Sequence, residues 1–431
     1  MINPITLTYS ILPIVIIYFF YKYIIKSPFI PQYETVVIGG GPAGLAAGIS
    51  LKERNKSFII IESGKDAFCR DRYDKEDLIL GIGGAGLFSD GKFSFYPSST
   101  NLWKLANKIL LSNSYEWMYK LLSGKVLSDI PNYPIVVDTH YSENQWVLKE
   151  YPSIYMELNE RYKLIADLSE KIGGKNIMIN STVTNYIKNE DGDYLIKIET
   201  KGQCKEIKCK NIIVSAGRFW PHHQYLAGRS QMTFMRLEYG VRIQDDCNQK
   251  FFTHTQLNDP KYKYLDENIE FRTFCCCRNG EIIVTQSGGI QTCSGRSDCS
   301  PTKLSNTGFN VRILDQKTSD SIVQEGLFYT PLFNNIPMIE AIETNILLDF
   351  YGATAHKYMI IGLKLLLEKF PELKTSQLFG PTIEGVGSYQ KTDGNMKIDN
   401  ENIWICGDAG GKFRGITAAL VSGHYVGKMI P

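Results

Sequence analysis

Residues 34–62 read Glu34-Thr-Val-Val-Ile38-Gly39-Gly-Gly41-Pro42-Ala43-Gly44, then Leu45–Arg54 (LAAGISLKER), then Phe58-Ile-Ile-Ile61-Glu62. The opening five residues are β-branched enough to be a short strand, and Leu45–Arg54 has the composition of a helix. Phe58–Ile61 is a second apolar strand. Between strand and helix the glycines stand where a dinucleotide-binding turn needs them. Gly39 permits the tight turn, Gly41 lets the backbone approach a pyrophosphate, and Gly44 lets the helix lie against the strand. Pro42 and Ala43 open the helix, whose free N–H groups and positive dipole end face the phosphates. Glu62 lies 18 residues after Gly44, where a carboxylate accepts hydrogen bonds from an adenosine ribose. A carboxylate there disfavours a 2′-phosphate, so FAD or NAD is expected and NADP is not. The competing reading, a glycine-rich turn that binds nothing, leaves the complete strand–turn–helix–strand order without a purpose.

A second glycine segment, Gly81-Ile-Gly83-Gly84-Ala-Gly86, spells the same pattern, but Leu87-Phe-Ser-Asp-Gly-Lys-Phe is a poor helix start. Gly86-x-x-x-x-Gly91-Lys92 also nears a phosphate loop, with Phe93 where Ser or Thr must hold magnesium. The better reading is a loop whose backbone, at Gly84 and Gly86, comes close to the cofactor held by the first turn. Near the chain's end, Ile403–Cys406 reads as a strand entering Gly407-Asp408-Ala-Gly-Gly-Lys-Phe-Arg-Gly415, then the small-residue helix Ile416–Met429. Flavoproteins sharing the opening turn commonly carry such an element. Its Asp bonds the ribityl chain, and the helix N-terminus, at Gly415 and Ile416, meets the flavin edge that gains negative charge on reduction. Lys412 and Arg414 add positive charge there. Joined to the opening turn, this element favours FAD over NAD. Between the two ends, Ile179–Ile198 alternates apolar and polar residues around a turn at Glu190–Asp193, and Ile212–Arg218 returns through Ala216 and Gly217. This resembles the β-meander and returning strand of two-dinucleotide-fold flavoproteins, and the resemblance implies that Val183 would meet the adenine through its backbone.

Composition bounds the remaining possibilities. At roughly 150 residues per domain, 431 residues suggest about three units. Hydrophobic residues at 43% and charged ones at 21% exclude a wholly disordered or fibrous chain. Lys+Arg 47 against Asp+Glu 45 leaves no basic excess, so nucleic acid is not an expected partner. Ten cysteines without any Cys-x-x-Cys argue against a paired-knuckle zinc site and for reduced thiols; no metal is expected. Residues 1–21 carry no charge, and Thr6–Ile25 supplies 20 residues, the length of a membrane-crossing helix. Aromatic residues gather at its end, Lys22 stands among them and Lys26 follows the stretch, and no signal-peptide cleavage pattern appears. We read residues 6–25 as an uncleaved single-pass anchor with the catalytic body on the cytosolic side; a buried or interfacial helix is the competing reading. Pro28 and Pro31 make a short stiff linker.

The chain resembles the uncharacterised FAD-dependent dehydrogenase group within the glutathione-reductase-like flavoprotein superfamily. The distinctive string is Gly83-Gly-Ala-Gly86-Leu-Phe-Ser-Asp-Gly-Lys92. Weaker matches are Glu238-Tyr-Gly-Val-Arg242, Asp259-Pro-Lys261, Phe274-Cys-Cys-Cys277 before Asn279-Gly280, and Gly407–Gly415. Together they span most of residues 34–431. The resemblance implies an oxidoreductase fold with FAD and leaves the substrate open. Cys276–Arg278 and Gln291–Ser294 depart from the family pattern, which suggests an altered substrate-facing part. Leu102–Tyr162 reads as inserted helices.

The expected architecture is α/β: a discontinuous three-layer Rossmann-type FAD-binding domain, an inserted α+β substrate domain, and an N-terminal transmembrane helix. The pieces are 1–33 for anchor and linker, 34–100, 165–222 and 385–431 for the FAD domain, 101–164 for a helical insertion, and 223–384 for the substrate domain. A pocket at the domain junction, over the flavin ring, is expected. The expected function is a membrane-anchored FAD oxidoreductase carrying out hydride transfer on a small or lipid-like substrate, with NADH or NADPH as a candidate donor. The runner-up is a flavin monooxygenase or prenyl-chain reductase; a non-catalytic redox sensor or scaffold is the alternative of another class. Cys69 stands alone after the second strand, which disfavours a disulfide reductase of the usual kind. Cys275 and Cys277 could face one side of a strand as a reactive pair, against plain strand packing. His254, His356 and His424 are acid–base candidates better read as structural. No catalytic residue is assigned, and the sequence does not set the oligomeric state.

Overall fold

The computed structural model describes residues 30–126, 129–135, 143–222, 231–254, 257 and 259–431. The expected anchor over residues 6–25 lies outside them. Among the described residues no helix is long and apolar enough to cross a membrane.

The first sheet is built on the opening strand, Gln32–Ile38, whose last four residues are buried. It runs parallel to Phe58–Ile61 on one side and to Gln203–Val214 on the other, with Val36 opposite Ile59 and Ile212. Ile177–Met178 extends the sheet beyond Phe58–Ile61, and Ile403–Ile405 pairs in parallel with the end of Gln203–Val214. Parallel strands covered on both faces read as unbroken apolar runs, as Phe58–Ile61 does. The first half of Gln203–Val214 turns back as an antiparallel meander with Tyr194–Thr200 and Ser181–Lys188. Helix Pro42–Glu53 packs against the closing helix Ile416–Met429 through small residues. A Cβ on Gly423 would lie 2.0 Å from Ala43 O, and one on Gly427 2.8 Å from Ala47 O. The expected Ile416–Met429 helix is found with those bounds.

A second sheet of seven antiparallel strands has its own core, drawn from residues between Leu237 and Tyr389. Its order is Phe333–Pro337, Gln377–Gln390, Met232–Asp246, Leu304–Ile313, Ile269–Cys277, Lys261–Asp266, Trp146–Lys149. Helix Leu348–Lys369 buries Tyr351, Ala355, Met359, Leu363 and Leu366, a spacing that keeps one stripe on the core. The strand Gln377–Gln390 stays in this sheet across residue 385, where the last piece of the FAD domain was expected to begin.

The expectation of inserted helices over Leu102–Tyr162 is corrected. Among the described residues one α-helix, Lys108–Leu122, lies within it, and Leu158–Ile172 begins near its end. The same span also supplies strand Trp146–Lys149 to the edge of the second sheet and Ser153–Tyr155 to a pair with Lys92–Ser94. Short strands at a sheet edge take their conformation from their partners, so local composition did not announce them.

Candidate flavin site

The opening turn has the geometry its glycines imply. Gly39 sits at φ 101°, and a Cβ there would lie 2.7 Å from Ser215 O. A Cβ on Gly44 would lie 1.9 Å from Gly39 O, so helix and strand approach too closely for any side chain. Gly41 caps the helix, and a Cβ on it would meet only Gly84 Cα, at 3.8 Å. That corner stays open for a ligand. Ser215 Oγ is 2.9 Å from both Ile38 O and Gly39 O and holds the turn to the neighbouring strand.

The second glycine segment lies directly on the first. Gly83 N donates to Gly40 O at 2.9 Å. A Cβ on Gly84 would be 3.0 Å from Gly41 Cα, and one on Gly86 3.0 Å from Pro42 Cγ and 3.4 Å from Ile416 Cγ1. Arg70 is buried and donates to Ile82 O and Gly84 O, each within 2.9 Å, which fixes the loop's path. Glu62 ties both segments together. Its Oε2 accepts from Gly40 N at 2.6 Å, and its Oε1 from Gly64 N at 2.8 Å and Gly81 N at 2.9 Å. A carboxylate oxygen carries two acceptor lone pairs, so Oε2 keeps one for a ribose hydroxyl.

The chain's end closes onto the same place. Gly407 sits at φ 63°, and a Cβ on it would be 2.9 Å from Ala43 Cβ; its N–H donates to Ser422 Oγ at 3.1 Å. Asp408 Oδ2 lies 3.4 Å from both Arg218 Nε and Arg414 Nε. Burial opposes its ionisation, but Arg414, Arg218 and Arg236 outweigh that and hold the carboxyl below its ordinary range. The arginines are themselves anchored: Arg218 and Arg414 to Glu384, Arg236 to Glu238 at 2.9 Å and to Gly411 O at 2.5 Å. Asp408 Oδ1 and Thr417 Oγ1 are buried with no hydrogen-bond partner among the described residues. Leaving such atoms unpaired costs about 1–3 kcal/mol each. Thr417 is also at the start of helix Ile416–Met429, whose first N–H groups have no intrahelical acceptor. An acceptor, a hydroxyl and a set of free donors at one helix mouth fit a polyhydroxylated chain ending in an electron-rich ring edge, as in FAD.

The structure thus brings Gly39, Gly41, Pro42, Ala43, Gly44, Glu62, Gly84, Gly86, Gly407 and Ile416 into one contiguous cluster. Asp408 follows Gly407 directly. Ala216 is exposed beside Gly39, and Gly217 (φ 79°) and Gly415 (φ 96°) have no described atom within 4 Å of a Cβ position. Val183 is buried opposite Ile198, two residues beyond Ser181, whose N–H donates to Glu62 O at 2.9 Å. Lys412, expected to add positive charge at this edge, donates from Nζ to Thr392 Oγ1 at 3.0 Å. Of the histidines, His254 is exposed, while His424 stacks on Trp117 with centroids 4.4 Å apart and bonds Ser114 Oγ through Nδ1 at 3.0 Å. Burial pushes His424 down to about 3, so it stays neutral and structural. Sequence reasoning missed Arg218, Arg236, Glu238, Glu384, Ser215 and Thr417. Arg218 follows Gly217 directly, and Glu238 opens the string Glu238–Arg242, but nothing local to Glu384 points at the site.

Residues 34–68 match the family model for the FAD binding domain, so this strand–turn–helix–strand is an FAD-binding element. No curated protein matches the chain. Solved structures similar to it include a geranylgeranyl bacteriochlorophyll reductase-like protein from Thermoplasma acidophilum, 14% identical, TM-score 0.40, covering 93% of this chain and 78% of that one. A flavoprotein/dehydrogenase from Cytophaga hutchinsonii is 12% identical, TM-score 0.39, covering 93% and 78%. CtdE in complex with FAD and a substrate is 12% identical, TM-score 0.40, covering 91% and 79%.

Proposed function

We propose that the protein is an FAD-dependent oxidoreductase that passes a hydride between a bound flavin and a small or lipid-like substrate, tethered to a membrane by residues 6–25. The observation that carries this reading is the meeting of Gly407 with Ala43, beside which Asp408 Oδ1 is buried with no partner among the described residues. Gly41 and the N-terminus of helix Pro42–Glu53 would hold the pyrophosphate, Glu62 Oε2 a ribose hydroxyl, and Asp408 Oδ1 the ribityl chain. When bound, FAD supplies the two-electron redox chemistry. The chain's part is electrostatic and steric. The N–H groups opening helix Ile416–Met429 would stabilise negative charge on the reduced ring, and Arg218 and Arg414, held in pairs with Glu384, would add to that field. Gly84 lies against Gly41, and Gly86 against Pro42 and Ile416, so the second glycine segment would border the bound cofactor.

Anaerobic addition of NADH or NADPH to purified protein tests the reading. Bleaching of the flavin spectrum is expected; a flavin that no donor or metabolite reduces would refute an oxidoreductase role. Deleting residues 1–30 should move the protein from the membrane to the soluble fraction with its colour intact, and unchanged membrane retention would refute the anchor.

A further inference from the structure

Strand Ile269–Cys277 ends in three consecutive cysteines. In a regular strand, residues two apart sit about 6.7 Å apart along the chain, whereas disulfide-bonded Cβ atoms are roughly 3.5–4.5 Å apart. This strand is not regular at its end. Its pairing with Leu304–Ile313 shifts register between Phe274 and Cys277, and Cys275 takes φ 48°, a left-handed conformation that costs a non-glycine residue about 1 kcal/mol. The bulge brings Cys275 Sγ to 3.7 Å from Cys277 Sγ and turns Cys276 into the core of the second sheet. Cys275 is half-buried and Cys277 fully buried.

The surroundings are charged. Arg242 Nη2 is 3.7 Å from Cys277 Sγ and 2.9 Å from Cys275 O, and it is held by Asn306. Asp90 Oδ2 is 3.9 Å from Cys275 Sγ. Lys92, two residues on, is buried in an ion pair with Asp259, which in turn accepts from Cys276 N at 3.0 Å.

We propose that Cys275 and Cys277 form a dithiol–disulfide centre that exchanges with low-molecular-weight disulfides, Cys275 attacking and Cys277 resolving. Cys275 is the partly exposed residue of the two, and Cys277 lies behind it within one bulge. The hydrogen bond from Cys277 favours the Cys275 thiolate; burial and Asp90 oppose it, and Arg242 and Lys92 support it, leaving Cys275 below the ordinary thiol range. The Cys275 thiolate attacks one sulfur of RSSR, forming a mixed disulfide and expelling RS⁻, which takes up a proton. Cys277 then loses its proton to solvent and attacks the Cys275 sulfur, expelling the second RS⁻, which is protonated in turn. One disulfide is consumed and two thiols leave, so no further oxidant is needed. Asp90, Cys275 and Cys277 also lie within 4.8 Å of one another, a spacing that a divalent metal could use. The Arg242 guanidinium on Cys277 opposes a dication there. The proposal does not rest on the flavin reading.

The test is to equilibrate the full-length protein, cofactor in place, across ratios of reduced to oxidised glutathione, quench with acid, alkylate with N-ethylmaleimide and map the tryptic peptide Thr273–Arg278. As the buffer becomes oxidising, that peptide should pass from three alkylated cysteines to one, losing two maleimide groups and two hydrogens. The conversion should persist in Cys276→Ser and vanish in Cys275→Ser. Cys277→Ser should accumulate a glutathione adduct on Cys275, which keeps the test sound if Cys275→Ser folds poorly. Full alkylation of all the peptide's cysteines at every ratio would overturn the proposal, as would a disulfide that requires Cys276. Stoichiometric zinc in the purified protein that is lost in Cys275→Ser would overturn it in favour of a metal site.

Discussion

Asp408→Ala separates flavin binding from folding. In the structure Asp408 Oδ1 is buried without a partner among the described residues, and Oδ2 makes only long contacts, 3.4 Å each, to Arg218 and Arg414. Both arginines keep Glu384 when the carboxylate is removed. Truncation therefore strands no buried cation and relieves an unsatisfied acceptor, and the apoprotein's unfolding free energy from urea titration should change by less than about 1 kcal/mol in either direction. A hydrogen bond between a flavin hydroxyl and a charged acceptor contributes about 1.5–3 kcal/mol, so the Kd for FAD should rise by roughly 10- to 150-fold. Titrating apoprotein with FAD, following quenching of flavin fluorescence, measures that change; urea unfolding of the apoprotein supplies the control. Unchanged affinity with unchanged stability would refute the role given to Asp408. A large loss of stability would show instead that Asp408 supports the fold.

Three further outcomes follow from the same geometry. Gly41→Ala should fold, since its nearest neighbour is 3.8 Å away, yet purify depleted in flavin, whereas Gly44→Ala, with a Cβ 1.9 Å from Gly39 O, should fail to yield soluble protein; comparing yield and flavin absorbance of the two checks this. His424, at about 3 in the folded state against an unfolded value near 6.5, binds fewer protons when folded. Its contribution is therefore intact above about pH 6.5 and is lost as pH falls toward 3, at about 1.4 kcal/mol per pH unit. Urea unfolding at pH 7 and pH 5 should show a difference of about 2 kcal/mol that disappears in His424→Gln. Glu238 is 1% exposed and pairs with Arg236, Arg272 and Arg312, so Glu238→Gln should cost about 3 kcal/mol in denaturant.

The opening turn was legible because its requirements are local. A residue that must turn at φ near 100°, or whose Cβ would fall within 2 Å of a backbone oxygen, has to be glycine, and Gly39 and Gly44 announce themselves. The closing helix was legible for a similar reason: Gly415, at φ 96°, stops the preceding segment one residue before it. What surrounds Asp408 was not. Arg236 and Glu238 come from Met232–Asp246 and Glu384 from Gln377–Gln390, and their meeting depends on an antiparallel register interrupted by three irregularities. No single strand's pattern encodes that register. The cysteine bulge is similar: spacing alone leaves Cys275 and Cys277 either paired or apart, and the register shift against Leu304–Ile313 decides it. The sequence strings behind the family resemblance did converge, since Lys92 meets Asp259, and Asp90 and Arg242 meet Cys275 and Cys277, but only the fold reveals that.

The most direct measurement is a crystal structure of the protein grown with FAD. The account predicts one flavin per chain, with its pyrophosphate at Gly41 and the start of helix Pro42–Glu53 and a ribityl hydroxyl within hydrogen-bonding distance of Asp408 Oδ1. Density for the flavin elsewhere, or a bound flavin that leaves Asp408 Oδ1 without a partner, would contradict it.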